Sequence, residues 1–159
     1  NCYFYRYILT INNINKMKKL YFLLVMPLLI ISCKVEPSKI NYGNDVCHYC
    51  KMTIVDKTHA SEIVNNKGKA SKYDAIECML NDIQERNKDD IALYLVTDYI
   101  NPEKLTDATN ATYLISESIQ SPMGANLTAF ANKSDAEKFA KSNNDKLLTW
   151  AEINDRFSN

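Results

Sequence analysis

Glycine and histidine are scarce in this 159-residue chain. There are three glycines, at 43, 68 and 124, and two histidines, at 48 and 59. Glycines so far apart cannot build a phosphate-binding loop, and Gly-x-Ser-x-Gly and His-Glu-x-x-His are both absent. With only four prolines as well, collagen-like and low-complexity sequence is excluded. At 46% hydrophobic and 24% charged, the chain has the material for one domain with a real core. No apolar run is long enough to span a bilayer; the run from Leu20 to Ile31 has 12 residues. Net charge is also lacking, with 19 basic and 19 acidic residues. The balance hides a segregation. Residues 1–32 hold Arg6, Lys16, Lys18 and Lys19 and no acid, so 15 basic residues stand against 19 acidic ones from Cys33 onward. A mildly acidic body without a basic block argues against nucleic acid as a partner.

The first 32 residues read as an address. Met17-Lys18-Lys19, the apolar run and Ser32-Cys33 follow the plan of a bacterial secretory leader. A small residue before cysteine resembles a lipobox, which implies cleavage before Cys33 and its diacylation. An uncleaved anchor helix is the alternative, because Tyr3 to Ile11 is also fairly apolar. Residues 1–16 read as translation upstream of a start at Met17, residues 17–32 as the leader, and 33–45 as a lipidated tether broken by Pro37 and Gly43. Residues 46–159 form the folded body. Cys47, Cys50 and Cys78 then remain, an odd number outside the cytoplasm, which suggests a working thiol rather than a disulfide framework.

The body reads as α+β. Met52–Asp56, Ser61–Val64 and Ala70–Tyr73 are strand-like, with a turn at Asn65–Gly68. Asp74 and Glu77 resemble a capping box, and Ile76, Met79, Leu80 and Ile83 follow at helical spacing, so Met79 belongs to the core. Ile91–Thr97, Ala111–Ser116 and Leu127–Ala131 are further strand candidates. Ser134/Glu137 and Thr149/Glu152 are two more candidate boxes. The first precedes Ala136, Phe139 and Ala140; the second precedes Ile153 and Phe157, which share a helix side with Trp150. Both halves place a methionine before a strand and an aromatic before a helix: Met52 and Tyr73, then Met123 and Phe130. This echo suggests a body of two similar units, 46–100 and 101–159.

The chemistry is rich in sulfur. Cys47-His48-Tyr49-Cys50-Lys51-Met52 offers two thiols, an imidazole and a thioether within six residues. Thiolate and thioether together are soft ligands that select Cu(I). Zinc has little use for a thioether, and a second Cys-x-x-Cys or a His-x₃-His is absent. Cys-x-x-Cys also serves disulfide exchange, but there the pair opens a helix whose N-terminus stabilises the thiolate. Here a β-like stretch follows. His48 and His59 each read equally well as surface residues. Cys78 lies opposite the apolar stripe of its helix. Met123, in a Ser-Pro-Met-Gly turn, is less easily explained as core than Met79. The Asp/Glu pairs read as solvated charge on helix faces, and no catalytic set emerges.

The pattern Cys33, His48-Tyr-Cys-Lys-Met-Thr-Ile54, Lys72-Tyr-Asp-Ala-Ile-Glu-Cys-Met79, Asp98-Tyr99, Ser121-Pro-Met-Gly124 with Ala129-Phe130 resembles the NosL family, accessory lipoproteins of nitrous oxide reductase. The resemblance implies a protein of the bacterial cell envelope, anchored to a membrane and facing the periplasm. It would bind Cu(I) and supply it to the apo reductase for the copper–sulfide centre. It also implies an α+β fold of two similar units, shared in outline with organomercury lyase. Cys50 and Met52 match the family's characteristic ligand motif and Met123 its second methionine loop; Cys47 is an extra thiol found in some members, with His48 beside it. Lys51 stands where Gly is frequent, and Asn144-Asp145 where a Gly pair is common. A small thiol oxidoreductase and a general copper or heavy-metal sequestering protein of the envelope are the rival readings.

Overall fold

The computed structural model describes residues 34–158. The stretch 1–16, the expected leader and Cys33 lie outside the described residues. Among the described residues seven strands and three α-helices follow in order: β1 Ser61–Asn65, β2 Ala70–Tyr73, α1 Ile76–Glu85, β3 Ile91–Thr97, β4 Leu105–Asp107, β5 Thr112–Ile115, β6 Leu127–Phe130, α2 Lys133–Phe139, β7 Lys146–Leu148 and α3 Trp150–Phe157, with a 3-10 turn at Lys88–Asp90 before β3. They form two antiparallel sheets, ordered β2-β1-β3-β4 and β6-β5-β7. In each sheet the first strand of a strand–strand–helix–strand run lies in the middle, with its second strand on one side and its third on the other. β4 extends the first sheet only.

One core joins the sheets. Ile63 and Val96 of the first sheet, Ile76, Met79, Leu80 and Ile83 of α1, and Tyr113, Leu127 and Ala129 of the second all pack in it. Met79 is core, as its place on the stripe predicts. Ile153 inserts from α3, with Trp150 and Phe157 beside it. Thr149 and Glu152 make the expected capping box, which satisfies backbone donors that the first turn leaves free. The outer face of the second sheet packs Leu114 and Phe130 against Ala136 and Phe139 of α2.

Three local expectations are corrected. Met52–Asp56 is not a sheet strand. It folds back on residues 43–47 with a single bridge, Val46 to Thr53, and with Ile54 N–H donating to Asp45 O at 2.9 Å. α1 starts after Ala75, and α2 after Asn132, with no side-chain cap in either case. The carboxylates expected to cap α1 are engaged elsewhere. β4 and β7, three residues each, are too short to show alternation in sequence.

The stretch expected to be a tether packs on the body from Ser38 onward. Ser38 donates to Glu62 of β1 through both its N–H and its hydroxyl, each at 2.8 Å, and Ile40 is buried. The turn between β1 and β2 meets the same segment. Gly68 has φ 77°, and a Cβ there would lie 2.7 Å from the Lys34 carbonyl oxygen, so only glycine fits without a shift.

Burial pushes the Glu62 carboxyl above its usual range, against the opposing pull of the Ser38 donors. A carboxyl raised in the folded chain holds its proton more tightly there than in the unfolded chain. Its contribution is therefore fully present below the usual carboxylate range and is lost as pH rises through the raised value. Glu62→Gln is expected to flatten that decline, since the amide keeps one acceptor and Ser38 Oγ can turn to accept from its nitrogen. Urea unfolding between about pH 4 and pH 7 checks this; an equally steep decline in the variant would assign it to other groups.

Candidate metal centre

The motif around Cys47 folds as a closed turn. Cys47 N–H donates to Met52 O at 2.8 Å, and Lys51 N–H donates to Cys47 O at 3.1 Å. His48 N–H donates to Lys72 O at 2.7 Å, which seats the turn on the end of β2. Immediately after Tyr73 the chain bends at Asp74, and α1 presents Cys78 in its first turn. This places the Cys47 and Cys50 sulfurs, the Cys78 sulfur and an Asp74 carboxylate oxygen within 4.8 Å of one another. All three cysteines are free thiols.

Backbone and side chains prepare this cluster for a cation. Cys47 is held below the usual thiol range, chiefly because Cys78 donates its S–H to it; the Asp74 and Cys50 backbone N–H groups also donate to its sulfur. Cys78, the donor of that pair, is pushed up. Cys50 is raised by burial, despite a hydrogen bond from the Met52 N–H. Its thiol donates to Asp74 Oδ1 at 3.3 Å. The Asp74 carboxylate opposes ionisation of all three cysteines, so their full ionisation needs a positive charge among them.

Of the residues singled out by sequence, Cys47 and Cys50 are brought together here. His48 is not in the group; its ring lies edge-on to Tyr73 and lines a shallow cleft with Asn65, Lys69, Asp82 and Arg86. Met52 and Met123 are exposed, at 56% and 42%. The Met123 turn is tied to the helix that carries Cys78: Ser121 Oγ donates to Glu77 and accepts from the Asn126 N–H. Asp74 and Cys78 are the members that sequence reasoning missed. In sequence Asp74 resembles a helix cap, and Cys78 lies opposite the apolar stripe of its helix. The available signal was a third cysteine downstream of the Cys-x-x-Cys motif.

The acids expected to be solvated are in part buried. Glu77 is tied to Ser121, and Asp82 accepts from both Tyr73 and Arg86. His59 is also buried rather than at the surface. Its Nδ1 pairs with Asp56 Oδ2 at 3.0 Å and its Nε2 with Thr128 Oγ1 at 3.2 Å. The outline is that of a hydroxyl–imidazole–carboxylate relay, but Thr128 is fully buried in β6, where no substrate reaches it. This trio clamps the loop before β1 onto the second sheet.

The NosL family model matches residues 38–158, which include the whole cluster and the Met123 turn. The chain belongs to the NosL family. It is 29% identical over 120 residues to the copper-binding lipoprotein NosL of Stutzerimonas stutzeri, covering 70% of this chain. The match spans 63% of that relative's length. The crystal structure of the copper chaperone NosL from Shewanella denitrificans matches with a TM-score of 0.61 over 74% of this chain and 97% of that one, at 21% identity. That likeness shows the α+β fold. Against the resemblance drawn from sequence, Lys51 takes φ 66°, a conformation glycine adopts freely and other residues at a cost of about 1 kcal/mol. Its ammonium donates to His48 O and closes the turn. Asn144 and Asp145 are not among the residues with positive φ, so the change from a NosL glycine pair carries no such strain. Among the described residues no helix is long and apolar enough to cross a membrane.

Proposed function

We propose that this chain is a Cu(I)-binding lipoprotein, anchored through Cys33, that delivers copper for the copper–sulfide centre of nitrous oxide reductase. The observation that carries the reading is the convergence of three cysteine sulfurs and one carboxylate in a chain of the NosL family. Soft thiolates suit Cu(I), and two further soft donors, the thioethers of Met52 and Met123, are exposed. His48 offers an imidazole on the same turn. The work is ligand exchange and not catalysis: copper leaves for the partner's ligands without changing oxidation state. The protein acts in the bacterial envelope on the periplasmic side, with the apo reductase as client. The acidic body has no use for nucleic acid.

Thiol–disulfide exchange is disfavoured on physical grounds. An attacking cysteine must be both exposed and readily ionised. Here the readily ionised Cys47 is buried, and the accessible Cys50 is raised.

The test uses the full chain, purified anaerobically in detergent. Titration with Cu(I) against a chromophoric chelator is expected to show one tight ion per chain that equal Zn(II) does not displace. The loaded chain mixed with copper-free reductase is expected to restore the absorption of the copper–sulfide centre. Copper held without transfer would leave a sequestering protein. Reduction of insulin in the presence of dithiothreitol would restore the oxidoreductase reading.

A further inference from the structure

The segment that leads into the body follows β2 along its length. Lys34 meets the β1–β2 turn, where its carbonyl oxygen lies 2.7 Å from the place a Cβ on Gly68 would take. Ser38 donates to Glu62, whose strand partner is Lys72, and Lys39 O accepts from the Lys72 ammonium. The chain thus enters at the turn end of the β1–β2 hairpin. It runs towards the other end, where His48 N–H meets Lys72 O and Asp74 joins the cysteines. Resting on the reading of Cys33 as a lipid anchor, we propose that the β1–β2 turn is the membrane-docking face of the body. It sits on the lipid headgroups with no tether between, and the cysteine cluster stands at the far end of the hairpin.

Reach decides the contact. The residue before Lys34 is one Cα–Cα step of about 3.8 Å away. The headgroup layer on each side of a bilayer is about 6 Å thick. A chain lipidated at that residue keeps Lys34, and the turn packed on it, at the headgroups. The turn suits a wet, polar surface. Asn66, Lys67 and Lys69 are exposed there, and neither lysine has an ion-pair partner among the described residues, so both ammonium groups can meet lipid phosphates. Acids stand nearby as well. Asp89 and Asp90 hold Asn66 through their carbonyl oxygens, and Glu36 pairs with Lys34 at 2.5 Å. The charges of this face largely cancel, so the acyl chains supply the binding and the packed entry segment sets the orientation. A hairpin standing on its turn lifts Asp74 by up to about 14 Å over the length of β2, clear of the headgroups. The cysteine cluster then faces the aqueous phase, where a partner's ligands can reach it.

The test places the full lipidated chain on vesicles of phosphatidylethanolamine and phosphatidylglycerol. A water-soluble amine-acylating reagent then reports each lysine by peptide mass spectrometry. Lys51, on the cysteine turn, and Lys104, beyond the far end of β3, are exposed internal references. The comparison is the same chain with about twelve Gly and Ser residues inserted between Cys33 and Lys34, a flexible span of about 20 Å that lets the body lift away. Acylation of Lys67 and Lys69, relative to the references, is expected to be at least about fivefold lower in the parent than in the inserted chain, because the headgroups cover the turn. Equal acylation of Lys67 and Lys69 in the two chains overturns the docking face. Protection of Lys51 and Lys104 in place of the turn lysines overturns it too, since the opposite end would then meet the bilayer. A chain that does not float with the vesicles overturns the lipid-anchor reading itself.

Discussion

Cys50→Ser is expected to lower Cu(I) affinity by roughly a thousandfold, about 4 kcal/mol, while leaving the apo fold in place. Cys50 is one of the three sulfurs of the cluster and the one of them that reaches solvent, so its loss removes both a ligand and the point of entry. The substitution should spare the fold because serine can still donate to Asp74, as the thiol does at 3.3 Å, and because the turn is closed by backbone bonds of Cys47, Lys51 and Met52 that involve no sulfur. Competition with a chromophoric chelator and a melting curve on the same preparation separate the two effects. Affinity within tenfold of the parent would mean that Cys47 and Cys78 hold the ion without their partly exposed neighbour.

The opposite separation is expected at Phe130. Its ring is fully buried and lies 5.5 Å from Tyr99 and 5.4 Å from Phe139, the small aromatic core between the second sheet and α2. Phe130→Ala removes the ring and leaves a cavity, at a cost of about 3–5 kcal/mol. A domain of this size is stable by only about 5–15 kcal/mol, so the variant should be close to unfolding at moderate temperature. Urea unfolding of the copper-free chain measures the loss, and added Cu(I) should recover part of it, since the ion binds only the folded form. A loss below about 1 kcal/mol would show that α2 collapses into the vacated space.

These substitutions fall on features that were unequally legible in sequence. The Cys47–Met52 turn was readable because its chemistry is local: six consecutive residues carry two thiols, an imidazole and a thioether. α1 was readable from the spacing of Ile76, Met79, Leu80 and Ile83, and β1 and β2 from the strand-like runs on either side of the Asn65–Gly68 turn. Phe130 before α2, and the capping box of Thr149 and Glu152, were readable for the same reason. Asp74 and Glu77 misled because an acid at a helix start usually caps it. Here Asp74 faces thiols and Glu77 meets a serine 44 positions away. Met52–Asp56 misled because a β-like composition does not say which segment will pair with it; residues 43–47 take that place and no sheet strand does.

Short-range order along the chain thus settled the fold class, the helices and the sulfur chemistry, because periodicity, turn residues and ligand type are properties of neighbours in sequence. The tertiary structure decided which donors meet. Cys78 joins Cys47 and Cys50 only because α1 packs on the first sheet and His48 N–H anchors the turn to the end of β2. It also decided which sulfurs are sealed and which face solvent, since burial depends on what the rest of the chain lays over each residue, and a two-sheet core assembled from distant segments cannot be read from any one of them.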